Sequence, residues 1–492
     1  MHTVPGHSIL ARALRTAVAL SVLAACTAHA GDDGSWPAEL HAALAPSGIP
    51  REAVALYVQE VGADAPLLAW NVEQPMNPAS TMKLVTTLAA LEILGPAYVW
   101  QTEVHVQGIV AGDTLHGDLV FKGYGDPKPD LERFTGLLAE LRSRGLRDIR
   151  GDLVLDRSHF QLAHDDPARF DNEPSRPYNV LPDALLFNYK SVRLQFVPEP
   201  ANGIVRILPT PAFPQVQITN QLALAAGSCT AMPDRPQVQI EVPRLIFTGI
   251  FPLGCGEHAR NFALLSPDEY ALSLFRLTWS AMGGSFAGSV RAQPVDPQAR
   301  RLMVASSQPL AEIIRDINKF SNNVMARQVF LTLSGAESDP ATAQRSAEVV
   351  KEWLRRSGIE APDLVLENGS GLSRIERISA GSLAQILLRG FASPLMPEYL
   401  ASLPIAGIDG TLRRRLGGSP AAGQAHIKTG YLSGVRAAAG YVRDRAGRWL
   451  AVVAMINHPA AGEAQEFQDA FVEWAYLQGA ENCCVACRRC TR

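Results

Sequence analysis

Strands at opposite ends of the chain constrain its fold most. "VALYVQEV" from Val54 and "PLLAWNV" from Pro66 alternate as strands and lead directly into a helix, "PASTMKLVTTLAALEIL". At the far end, "AHIKTGYLSGVRAAAGYVRDRAGRWLAVVAMINH" reads as three antiparallel strands joined by short turns. "EFQDAFVEWAYLQG" then closes the chain as a helix, its apolar face (Phe467, Phe471, Trp474, Ala475) expected to pack on the sheet. Between the two ends the texture changes. Short alternating runs such as "TEVHVQGIV", "LHGDLVF" and "VRLQFV" are broken by Gly, Pro and Asp, with helices only at "FTGLLAELRSRGL" and "DEYALSLFRLTWSAMG". Helical texture returns with "PLAEIIRDINKF", "VMARQVFLTL" and "AQRSAEVVKEWLRRSG". One sheet drawing strands from both ends predicts a discontinuous domain, residues 31–98 and 296–478. A β-rich insertion of two subdomains, residues 99–295, interrupts it.

The composition permits sizeable cores: 492 residues, 47% hydrophobic and 19% charged. A net charge of -3, with no basic-aromatic interleaving, argues against a nucleic-acid partner. The first 30 residues read as a leader: Arg12 and Arg15, the apolar run "AVALSVLAA", then "AHA" at Ala28–Ala30 as a cleavage site. "LAAC" at Leu23–Cys26 offers a second reading, a lipid anchor on Cys26. Both readings put the mature chain outside the cytoplasm, in the periplasm, where disulfides persist. Cys229 and Cys255 are spaced to close a loop; the tail 479–492, with Cys483, Cys484, Cys487 and Cys490, reads as a frayed end rather than a metal clip. The 11 histidines are scattered without H-E-x-x-H, His426 reads as a strand residue, and no metal or cofactor is expected. "GYGDP" at Gly123–Pro127 lacks G-K-[ST] and marks a turn.

Three short patterns carry the chemistry. Asn77 as N-cap and Pro78 at the first helical position place Ser80 at the third, among N–H groups without an intrahelical partner. Such an N–H suits a developing oxyanion. Lys83 emerges on the same face, and burial would lower its pKa until the neutral amine accepts the serine proton. Next comes Ser321-Asn322-Asn323, where Ser321 and Asn323 share a site only from a turn or a helix start. Last is Lys428-Thr429-Gly430 on a strand, with Lys428 and Gly430 on one face and the glycine allowing close approach to a ligand. Each pattern alone has a bland explanation: a capping serine near a surface lysine, a polar inter-helix turn, an edge-strand charge. Together, in this order and on these elements, they form a known set.

With "PASTMKLVTTLAALEILGP", "GDLVFKGYGDP", "LENGSGLSR" and "AGIDGTLRRR", the chain resembles class C low-molecular-mass penicillin-binding proteins, the D-alanyl-D-alanine carboxypeptidase/endopeptidase family. The resemblance implies an α/β (α+β) fold of the serine β-lactamase and penicillin-binding-protein type, an antiparallel sheet sandwiched by helices, with large β-rich inserts. It implies a serine DD-peptidase acting on peptidoglycan stem peptides and acylated by β-lactams. Ser80 would be the nucleophile, Lys83 the base and Ser321 the proton relay to the departing amine. Lys428 would hold Ser321, and Asn323 the acyl-side amide. The oxyanion would sit between the N–H groups of Ser80 and Tyr431, with Lys428 and Thr429 recognising the terminal carboxylate. Relatives follow K-T-G with a small hydroxyl residue where this chain has Tyr431. That departure suggests weakened carboxylate recognition, with cross-link cleavage outweighing removal of terminal D-alanine. The alternatives are a β-lactamase, against which the long insertion argues, and a cell-wall binding protein without catalysis. Glu367 is the nearest candidate for a deacylating carboxylate and reads as structural.

Overall fold

A computed structural model describes residues 36–162, 166–229, 236–335 and 339–479. The leader with Cys26 and the four tail cysteines lie outside the described residues.

One five-stranded antiparallel sheet joins the chain ends. Its order is Ala425–Leu432, Val435–Arg443, Trp449–Asn457, Val54–Glu60, Leu68–Trp70. The central pairing sets Val58 opposite Val452 and Leu56 opposite Ala454. The central strands Val54–Glu60, Val435–Arg443 and Trp449–Asn457 are mostly buried because both faces are covered, and alternate side chains serve different cores. Tyr57, Ala439, Val453 and Met455 pack with helices Met82–Leu94, Leu310–Phe320, Asn323–Thr332 and Ala380–Ala392. Leu56, Val58, Val452 and Ala454 pack on the other side with Leu40, Leu44, Phe467 and Phe471, from helices Ala38–Leu44 and Gln465–Leu477. The closing helix thus packs as its apolar face predicts, with Trp474 half-buried at its margin.

Between the two ends lies a seven-stranded sheet built around Gln101–Ala111 and Thr114–Gly123, with helices Leu131–Ser143 and Pro267–Ala281. Ser266 and Glu269 cap the second helix reciprocally. Two three-stranded sheets follow the first helix, and one apolar cluster runs through all of these elements. Strand Arg300–Ser306 pairs antiparallel with Gln101–Ala111, so this sheet takes in residues beyond 295. Cys229 and Cys255 are bonded with Cα atoms 4.5 Å apart, closing a loop worth about 3–4 kcal/mol on chain-entropy grounds.

The β-rich region is fixed to the helix that begins at Asn323. Gln328 donates through Nε2 to the Asp183 carbonyl (2.8 Å), and its Oε1 accepts from the Asp183 N–H (3.0 Å). Trp100 Nε1 donates to Thr332 Oγ1 (2.8 Å), and Lys128 pairs with Asp316 at 2.7 Å. Those contacts hold the helices on either side of Ser321.

Candidate active site

Ser80 lies just before its helix rather than within it. The α-helix begins at Met82, and Ala79–Thr81 form a single 3-10 turn. Ala79 takes a left-handed φ of 45°, which breaks helical continuity behind Ser80. Asn77 still serves the turn, its Oδ1 accepting from the Ala79 N–H at 2.9 Å. Two glycines press on this turn. A Cβ at Gly371 would lie 1.8 Å from the Ala79 carbonyl oxygen, and one at Gly430 would lie 2.9 Å from the Ser80 nitrogen. The K-T-G strand therefore runs beside the Ser80 backbone, which explains its glycine.

Lys83 is fully buried, and its Nζ lies 2.9 Å from Ser80 Oγ and 2.6 Å from Asn323 Oδ1. It also donates to the Ser370 carbonyl. Burial holds its pKa well below the usual lysine range, helped by the positive charges of Lys428 and Arg327 and opposed by Glu376. Asn323 is the first residue of its helix, and Ser321 caps the preceding helix at a left-handed φ of 56°. The sharp turn between them brings both side chains into one site, as a turn or helix start requires. Lys428, also fully buried, donates to Ser321 Oγ at 2.8 Å and to the Thr429 carbonyl at 2.6 Å. Desolvation pulls its pKa down to about 7.

All the predicted residues except Tyr431 face inward or line the site's edge. Lys428 and Gly430 are buried on one strand face, while Thr429 is half-buried with its Oγ1 3.3 Å from Thr411 Oγ1. Tyr431 is 62% exposed, with the Arg436 guanidinium 5.1 Å from its ring centre. Glu367 is held by Ser373 Oγ (2.5 Å) and Arg169 (3.3 Å). His426 is a half-buried strand residue beside the Trp449 ring. Among the described residues no cluster of three or more His, Cys, Asp or Glu could hold a metal ion.

The model of the D-Ala-D-Ala carboxypeptidase 3 (S13) family matches residues 37–477. The chain belongs to this family. It is 26% identical over 404 residues to the D-alanyl-D-alanine carboxypeptidase DacB of Haemophilus influenzae, covering 80% of this chain and 83% of that protein. It is 29% identical over 407 residues to the D-alanyl-D-alanine carboxypeptidase of Actinomadura sp. (strain R39), covering 80% and 75%. The structure of penicillin binding protein 4 (dacB) from H. influenzae superposes with a TM-score of 0.73 at 25% identity, over 89% of this chain and 99% of that one. The fold is accordingly that of a penicillin-binding protein with large β-rich inserts.

The geometry of this S13 peptidase also uses residues that the sequence patterns did not single out. Ser370 contributes only its carbonyl, which no side-chain pattern records. Its loop is tied down by Glu376, fully buried, whose Oε1 accepts from the N–H groups of Glu367 (3.1 Å), Asn368 (2.9 Å) and Gly369 (2.9 Å). The available signal was "NGSG", whose Gly369 and Gly371 take φ of 69° and 77°.

Proposed function

We infer that this chain is a serine DD-peptidase that hydrolyses D-alanyl bonds of peptidoglycan stem peptides through an acyl-enzyme on Ser80. The 2.9 Å approach of a fully buried Lys83 amine to Ser80 Oγ carries this reading. A neutral amine has two N–H donors and one lone pair. Here the two donors serve Asn323 Oδ1 and the Ser370 carbonyl, leaving the lone pair to accept the Ser80 proton.

As Ser80 Oγ bonds to the carbonyl carbon, its proton passes to Lys83. The Ser80 and Tyr431 N–H groups stabilise the oxyanion. When the C–N bond breaks, the Ser321 hydroxyl protonates the departing amine and is replenished by Lys428, 2.8 Å away. Asn323 Nδ2 is left for the acyl-side amide, since its Oδ1 is taken by Lys83. Water then attacks the ester, its proton going back to Lys428 through Ser321 while Lys83 returns its own to Ser80 Oγ, which restores the free enzyme. A β-lactam enters by the same attack, but its opened ring stays tethered and blocks that water. No cofactor takes part. Since stem peptides lie outside the cytoplasmic membrane, we place the enzyme in the periplasm, by cleavage after Ala30 or lipidation of Cys26.

The test is release of D-alanine from a peptide ending in D-Ala-D-Ala. The wild type releases it, and Ser80→Ala lowers the rate by at least about a thousandfold. Equal release by both proteins would refute the assignment.

A further inference from the structure

Tyr431 removes a short hydroxyl from the strand just where a departing carboxylate would be recognised. A Cβ at Gly462 would lie 3.8 Å from the Tyr431 hydroxyl, which sets that hydroxyl beside the Pro459–Glu463 turn. Another hydroxyl stands nearby. Thr411 is exposed, and its Oγ1 is 3.3 Å from that of Thr429. Thr429 lies on the strand between Lys428, whose Nζ is 2.8 Å from Ser321 Oγ, and Gly430, which lies against the Ser80 backbone, so the hydroxyl pair stands at the rim of the site.

We propose that Thr411 joins Thr429, to which the resemblance already assigns the terminal carboxylate, in seating the α-carboxylate of the departing D-amino acid, and that Thr411 is the specificity-determining residue. This rests on the peptidase reading above. Two hydroxyls side by side match the two oxygens of a carboxylate, and each bond to a charged acceptor is stronger than a neutral one. The turn carrying Thr411 is rigidly tied to the helix that ends at Ser321. Lys319, 5% exposed, pairs with Asp409 at 2.6 Å, and Asp409 Oδ1 accepts from the Ile405 N–H at 2.8 Å. Gly410, at φ +56°, lies so close to this helix that a Cβ would stand 2.6 Å from the Lys319 carbonyl oxygen. Lys319 neutralises Asp409, the acidic residue of this turn, so the turn does not repel an incoming anion. Arg413 and Arg414 follow, both exposed and without an ion pair among the described residues, and add positive field.

The seat recognises the leaving group by its carboxylate and serves both terminal D-alanine and a cross-linking residue with a free α-carboxylate. That removes the reason for expecting cross-link cleavage to outweigh terminal D-alanine removal. The experiment compares diacetyl-L-lysyl-D-alanyl-D-alanine with its C-terminal amide. Thr411→Val lowers kcat/KM on the acid by about tenfold or more and on the amide by less than about twofold. Thr411→Ser restores the acid to within about threefold of wild type. Equal losses on acid and amide mean a structural role and overturn the proposal, as does an unchanged rate on the acid. No D-alanine release by the wild type would instead defeat the peptidase reading itself, and urea unfolding of Thr411→Val reports whether the variant is folded.

Discussion

Two lysines of the candidate site, Lys83 and Lys428, are removed from water. Charged amines are costly to bury, so burial favours the neutral form of each, and every nearby cation adds to the effect. Burial pushes Lys83 well down, which favours its neutral form, whereas Lys428, down to about 7, changes charge near neutral pH. The proposed roles need Lys83 neutral and Lys428 charged. Acylation of the free enzyme must therefore fall as pH rises through about 7, where Lys428 loses its proton. In a pH series of second-order acylation rates with benzylpenicillin, the alkaline limb has its midpoint near that value. In Lys428→Arg the limb disappears up to about pH 9, at a lower absolute rate, because a guanidinium keeps its charge. A wild-type rate that climbs steadily through the alkaline range would remove Lys428 from this role.

At the scale of elements, the site depends on a loop held from within. Glu376 is fully buried and accepts three backbone N–H groups through Oε1, while Oε2 has no hydrogen-bond partner among the described residues. Desolvation raises its pKa, and the three N–H donors pull the other way by favouring the carboxylate. Glu376→Ala strands the donors and costs about 2–4 kcal/mol. Glu376→Gln, which keeps the acceptor, costs less than half of that and retains most of the acylation rate. Urea unfolding and penicillin acylation of both variants check this, and an alanine variant as stable and reactive as wild type would contradict it. None of this was legible beforehand, because a lone glutamate in "SRIERI" has no periodicity to mark it. The strands and helices were legible, since both sheet faces demand apolar residues over whole segments. The site was readable where chemistry sits on side chains at fixed spacing. The segments "LENGSGLSR" and "AGIDGTLRRR" carried the resemblance but no role for Ser370 or Thr411, because a backbone carbonyl and a residue on a distant turn leave no side-chain pattern to read. Placing Ser80 inside its helix failed for a local reason: Gly371 and Gly430 crowd the preceding turn, and Ala79 turns left-handed.

Across the whole molecule, the residues of the site are separated by hundreds of positions and meet only because one sheet takes strands from both ends. Ser80 and Lys83 follow the first strands, and Lys428 lies on one of the last. The β-rich region grips the helix of Asn323 through Asp183, Gln328 and Trp100. It thus holds in place the helix that carries Asn323. The central claim, that this assembly makes Ser80 a nucleophile, is tested most directly by mass spectrometry after treatment with benzylpenicillin. Trypsin releases Ser80 on the peptide Glu52–Lys83. The account predicts one penicilloyl increment on that peptide in the wild type and none in Ser80→Ala. A penicilloyl group on any other peptide, or an unmodified wild type, would contradict it.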